Sequence, residues 1–259
     1  MMSSTIKNDS TYLKLNNKSE LESHVKTWVN NTENNENIPH ISEWDVSKVT
    51  NMDRLFMNCR NFNDNINEWD VSNVTSMEKM FYNAKSFNQP LDSWNVSNVI
   101  NMNQMFEFAS RFNQSIGNWN VSKVTNMYKM FSNAHNFNQN INKWDVSKVT
   151  NMSYMFCGAK EFNKPLCNWD TSKVINMSYM FCCAINFNKS INDWDVSNVE
   201  KMDNMFLHAV NFNQPLNSWD ISNTTEIKWM FCGAKSFNQP LDNWDTSKVI
   251  NMEYLFCNA

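Results

Sequence analysis

The sequence is poor in the residues that usually punctuate a chain, with only three glycines and five prolines in 259 positions. No shift in composition therefore marks an internal domain boundary. No apolar stretch reaches the roughly 18 residues that a membrane-spanning helix needs, which excludes membrane insertion of that kind. There is no basic excess either. Lys and Arg number 22 against 26 Asp and Glu, for a formal charge of −4, and this leaves no positive footprint for nucleic acid or an anionic membrane surface. Histidine is scarce, and His24, His40, His135 and His208 form no pair with metal or acid–base spacing. Neither an enzyme nor a cofactor is expected. The opening MMSSTIKNDSTYLKLNN lacks a charged segment followed by an apolar one, and the first cysteine is Cys59. The expectation is residence inside the cell, without a secretory leader or a lipid-attachment cysteine.

Seven cysteines make an odd number. Cys157, Cys182, Cys232 and Cys257 share one repeat position that holds Met57, Tyr82, Glu107, Ser132 and Leu207 elsewhere. A position so tolerant enforces no disulfide or metal framework, so reduced thiols are expected. The vicinal pair Cys182 and Cys183 reads as incidental free thiols. The sequons Asn95-Val-Ser and Asn120-Val-Ser fall in the most regular part of the repeat, where a glycan is expected to collide with stacked neighbours.

What the chain has in abundance is itself. Tryptophan falls at 44, 69, 94, 119, 144, 169, 194, 219 and 244, a spacing of 25 without insertion or deletion. SFNQPLDSWNVSNVINMNQMF at Ser86–Phe106 returns as SFNQPLDNWDTSKVINMEYLF at Ser236–Phe256. Loops that never change length mean that each coil sits on the last. Within a unit, Trp94 and Val96 alternate about Asn95 with the period of a short strand. Met102, Met105, Phe106 and Ala109 then fall at i, i+3, i+4 and i+7, the apolar stripe of a short helix with Ser97 near its start as a cap. The expected fold is an α/β solenoid of nine coils, each with a short parallel strand and a short helix. The spacing of Leu21, Val25, Trp28 and Val29 predicts a helix over Lys18 to Asn30 that caps the first coil. Two regions follow: residues 1–40, with a frayed start over the first 15 and a polar connector over Asn30–Asn37, and the repeat domain 41–259. Asn63 through Asn238, one in each return loop, are expected to bond side chain to backbone from coil to coil.

The phrases FNQPLDSWNVSNV, NMSYMFCGA and FNQ resemble those of the BspA-type leucine-rich-repeat surface proteins, in their 25-residue form abundant in mycoplasmas, over residues 41–259. The resemblance implies a leucine-rich-repeat-like solenoid used for adhesion or partner binding, with no catalytic residues to carry over. It also raises cell-surface display as the alternative location, and carbohydrate or a host extracellular protein as the alternative partner.

Columns that repeat at every step are set by stacking, so the Trp, Met and Phe columns read as core rather than as sugar platforms or a soft-metal groove. The column of Asp45, Asp70, Asp145, Asp170, Asp195, Asp220 and Asp245 includes Asn95 and Asn120, and reads as local turn bonding rather than a calcium site. A surface that recognises a partner must differ from coil to coil. One such column, two residues after the first Met, runs Arg54, Lys79, Gln104, Lys129, Tyr154, Tyr179, Asn204, Trp229, Tyr254. A helix there would turn it about 200° from the buried stripe, toward solvent. Tyr154, Tyr179, Trp229 and Tyr254 are the candidate partner-binding residues, and a protein is the expected partner.

Overall fold

The computed structural model describes residues 13–30 and 38–259. One α-helix, α1, spans Lys18–Asn30, and a single 3₁₀ turn spans Ile41–Glu43. α1 starts in a reciprocal cap. The Asn17 side chain accepts from Glu20 N–H at 3.0 Å, and the Glu20 carboxylate accepts from Asn16 N–H at 2.8 Å, satisfying donors that have no partner in the helix. Leu21 and Val25 are buried, while Trp28 and Val29 pack against the core at its edge. Trp28 meets the Trp44 ring edge-on at 5.9 Å, so α1 lies over the first coil. Leu13 to Leu15 pair with that coil too, through Leu15 N–H to Asp45 O and Asp45 N–H to Leu13 O, both 2.9 Å. The expected frayed start therefore does not extend to these residues. Its remainder, 1–12, and connector residues 31–37 lie outside the described residues.

The coils from Trp44 onward are not the expected α/β solenoid. No strand, no sheet and no helix occurs in them among the described residues. The coils meet in single-residue parallel bridges, from Asn51 to Ser76, Asn101, Asn126 and on to Asn251. The stretch read as a helix is a run of tight turns. In a helix, Phe131 N–H would bond to Met127 four residues back. Here it donates to Met155 O in the next coil at 2.9 Å, while Met130 N–H closes a turn onto Met127 O at 3.1 Å. The pattern alternates. Met127, Lys129, Phe131 and Asn133 donate to Asn151, Ser153, Met155 and Cys157 of the following coil, whereas Met130, Ser132 and Ala134 donate three residues back. Every second peptide thus lies along the stack, and none is left over for a helix.

Such a path needs left-handed backbone. Two residues in each coil from Met52 onward carry it, for instance Lys129 at φ 55° and Asn133 at φ 57°. Side chains make that region costly by about 1–2 kcal/mol per residue. The second of these positions is mostly Asn or Gly: Asn58, Asn83, Asn133, Gly158, Gly233 and Asn258, the residues that tolerate it best. At the first position a backbone bond to the next coil, such as Lys129 N–H to Ser153 O at 3.1 Å, offsets the cost.

The core is a set of columns, as their repetition requires. Trp119 and Trp144 rings lie 6.5 Å apart and parallel within 1°, and Phe131 sits 5.7 Å from Phe106 and 5.8 Å from Phe156. Phe131 also stacks on Phe137 of its own coil at 4.0 Å. From Trp69 onward each indole N–H of the Trp column finds a carbonyl 28 residues back, such as Trp144 Nε1 to Ile116 O at 3.0 Å, which satisfies its one polar atom. The Asn ladder is present. Asn113 N–H donates to Asn88 Oδ1 at 2.9 Å, Asn138 to Asn113 at 2.9 Å and Asn163 to Asn138 at 3.0 Å.

The Ser column caps no helix, because none follows it. Ser147 instead turns onto Asp145, with N–H to Oδ1 at 3.1 Å and Oγ–H to Oδ1 at 2.6 Å. Those two bonds hold the Asp145 carboxyl below its ordinary range. Asn95 and Asn120 accept from Ser97 and Ser122 N–H in the same way at 3.1 Å. Both are exposed, contrary to the expectation that stacked neighbours crowd these sequons.

Candidate interaction surface

The variable column occupies the left-handed corner of the first turn, with φ between 55° and 64° from Arg54 to Tyr254. It is a turn, not a helix, that sends these side chains away from the Met and Phe columns. The inner corners are fixed above and below, since Tyr154 N–H donates to Ser178 O at 2.9 Å and Lys129 N–H to Ser153 O at 3.1 Å. Side chains one coil apart are thereby held in register for stacking.

The four candidate residues fall into two pairs. Tyr154 and Tyr179 stack with ring centres 4.3 Å apart and planes within 6°. Trp229 and Tyr254 lie 4.5 Å apart with a 32° tilt. Asn204, the corner between them, is 5% exposed and turns its amide onto Asp203 at 3.1 Å. The aromatic row is therefore interrupted. Only Tyr254 is exposed, at 59%, while Tyr154, Tyr179 and Trp229 are half-buried by their neighbours. Partial burial and the adjacent Tyr179 and Tyr128 phenols push the Tyr154 hydroxyl well above its ordinary pKa. It stays a neutral donor throughout the physiological range.

The first pair extends toward the N-terminus through residues outside the candidate set. Tyr128 meets Tyr154 edge-on at 6.0 Å. The Lys129 ammonium sits 5.2 Å from the Tyr128 ring centre and 5.1 Å from that of Tyr154, within reach of their negative faces. Glu107, 3% exposed, is its counter-ion at 3.6 Å. Burial pulls the Lys129 pKa down, but Glu107 and Tyr128 outweigh it and the net shift is upward. The cation is thus pinned between a buried carboxylate and two phenols. Tyr128 stands one residue before the outward column, and reading the two positions as one variable pair reveals it.

The stripe is a surface and not a cavity. A hollow of about 680 Å³ lies at the other end of the stack, lined by Lys14, Trp44, Asp45 and Glu68 among others. Among the described residues, no group of three or more His, Cys, Asp or Glu is placed to hold a metal ion. No helix among them is long and apolar enough to cross a membrane.

A comparison with curated proteins finds no match. The model of a family described as "Mycoplasma protein of unknown function, DUF285" matches residues 23–139, 93–184 and 166–259. These overlapping matches begin within α1 and run through every coil, and the chain belongs to that repeat family.

Proposed function

We propose that this protein is a non-enzymatic protein-binding module, and that it engages its partner through the aromatic corners Tyr154, Tyr179, Trp229 and Tyr254, with Tyr128 and Lys129 extending the first pair. The observation that supports this reading is the contrast between columns on one scaffold. Trp and Phe repeat at every step because each is clamped by its own kind, whereas the corner column changes from Arg54 to Tyr254 under the same backbone constraint. Stacked, half-buried Tyr and Trp offer large, rigid contact area that costs little entropy to present. The kinship with the BspA-type repeat proteins belongs to the same reading. It is carried by the repeated phrase and not by strands or helices, which the coils lack.

The test is the double substitution Tyr154→Asn with Tyr179→Asn, since Asn204 shows that the corner accepts Asn. Proteins captured by the wild type should be lost by the variant while the melting temperature is held. Retained capture overturns the reading, and so does a loss explained wholly by unfolding. A glycan array on the same two proteins separates the alternative: sugar binding that disappears with the two tyrosines would make the stripe a carbohydrate adhesin instead.

A further inference from the structure

Three thiols meet at one point of the stack, one turn away from the tyrosine stripe. Cys157 and Cys182 occupy the same position of adjacent coils, and Cys182 lowers the Cys157 pKa. Cys182 Sγ also lies 3.7 Å from Cys183 Sγ. Cys182 is 6% exposed, while Cys157 and Cys183 are half-buried and reachable from solvent. Backbone bonds fix the cluster, because Gly158 N–H donates to Cys182 O and Cys183 N–H to Leu207 O, both at 2.7 Å. The residues around it are not arranged to hold a metal ion.

We propose that Cys183 is a site of oxidative modification, at which hydrogen peroxide oxidises the thiolate and Cys182 resolves the product to a vicinal disulfide. In the first step the Cys183 sulfur attacks one peroxide oxygen. The O–O bond breaks, Cys183 becomes a sulfenic acid, and the second oxygen leaves as water after taking a proton. In the second step Cys182 sulfur attacks Cys183 sulfur, the S–O bond breaks, and the hydroxyl leaves as water with the Cys182 proton. Two thiols and one peroxide give one disulfide and two waters.

Several features of the cluster favour Cys183 as the attacking group. The Cys182 thiol donates to it and, against the opposing effect of burial, brings its pKa down to about 7, with help from the Lys160 ammonium. About half of it is then thiolate at neutral pH. Cys182, shared between two sulfurs and buried, is pushed strongly upward, so it is protonated in the first step and attacks only in the second, as its proton leaves with the hydroxyl. Cys182 lowers Cys157 as well, but Cys157 lies one coil away and has no sulfur beside it in sequence. Burial and its neighbour Cys257 raise Cys232, burial raises Cys59, and no cysteine adjoins either of them in sequence. Adjacent Cα atoms stand about 3.8 Å apart, short of the roughly 4.4–6.8 Å usual across a disulfide. The bond formed is strained and easily reduced, so the modification is reversible by a thiol reductant.

The experiment treats the reduced full-length protein with one equivalent of hydrogen peroxide at neutral pH, followed by tryptic mapping. Cys182 and Cys183 fall together in Val174–Lys189, whereas Cys157 falls in Val149–Lys160. The expected first product is Val174–Lys189 lighter by two hydrogens and restored by dithiothreitol. Cys182→Ser should instead accumulate a dimedone-reactive sulfenic acid on Cys183. Cys183→Asn places at this left-handed turn the residue found at Asn133, so the fold is kept, and peroxide consumption should fall about tenfold. A first product that joins Val149–Lys160 to Val174–Lys189 overturns the proposal. So does first oxidation at Cys167, or an unchanged rate in Cys183→Asn at an unchanged melting temperature.

Discussion

α1 and the turn run of each coil carry apolar residues at nearly the same spacing, yet only α1 is a helix. In α1 the stripe is Leu21, Val25, Trp28 and Val29, and in a representative coil it is Met127, Met130, Phe131 and Ala134. Both stripes face the core. What differs is who stands beside the backbone. α1 lies over one end of the stack, where the peptide N–H groups beyond its cap have only their own helix to bond. The coil is held between two copies of itself, and each copy offers carbonyls in register on one side and donors on the other. Alternate peptides turn outward to meet them, as Phe131 does toward Met155, and i→i+3 turns absorb the rest. An apolar period reports which side chains are buried. It does not report where the hydrogen bonds go.

This comparison can be broken most severely by disturbing register. Deleting one whole unit, Trp94–Asn118, brings Ser93 directly onto Trp119 and preserves every column, so the shortened protein should retain its circular dichroism and a cooperative melt. Deleting Trp94–Met105 removes about half a unit and sets every later Phe and Asn against the wrong neighbour. That protein should not fold. Equal folding of the two would mean that the columns are not what holds the coils together.

A smaller disturbance empties one place in a column. Phe131 is fully buried, with Phe106, Phe137 and Phe156 in contact, and Phe131→Ala should cost about 3–5 kcal/mol. Phe256, its equivalent in the last coil described, is 50% exposed. Phe256→Ala should therefore cost well under half as much, because less contact and less burial are removed. Denaturant titration of the two variants measures the difference, and equal losses would contradict the column as the unit of stability.

How much of this was legible in the chain follows from the same physics. The 25-residue register, the buried Trp, Met and Phe columns and the Asn ladder are side-chain facts, and repetition exposes side-chain facts directly. The coil backbone was not legible from the period, because its partners lie 24 residues away and a helix and a ladder of turns can bury the same stripe. One signal was present and points to the turns. Asn58, Asn83, Asn133, Gly158, Gly233 and Asn258 share a column, and a position that favours Asn and Gly marks left-handed backbone. The corner column carried no such mark, since Lys, Tyr and Trp stand there against preference. Its outward direction was anticipated for a helix and is realised by a turn. The turn of Asn204 onto Asp203 and the half-burial of Tyr154 and Tyr179 depend on contacts between neighbouring side chains, which spacing does not encode.

The smallest and most selective test compares Gly with Ala at one site in each region. Lys26 is an exposed position of α1. There Ala should be more stable than Gly by about 1 kcal/mol, because Gly surrenders more backbone freedom on entering a helix. Lys79 sits at a corner with φ 56°, and both substitutions delete the same ion pair to Glu78 at 3.7 Å, so that loss cancels between them. A Cβ at this φ costs about 1–2 kcal/mol, which exceeds the entropy that Gly gives up. At Lys79 the order should therefore reverse, with Gly more stable than Ala by about 0.5–1 kcal/mol. Chemical denaturation of the four single variants measures both signs. The same sign at both sites would mean that the coil backbone is helical after all. Opposite signs would tie the turn ladder to a free energy that no side-chain column supplies.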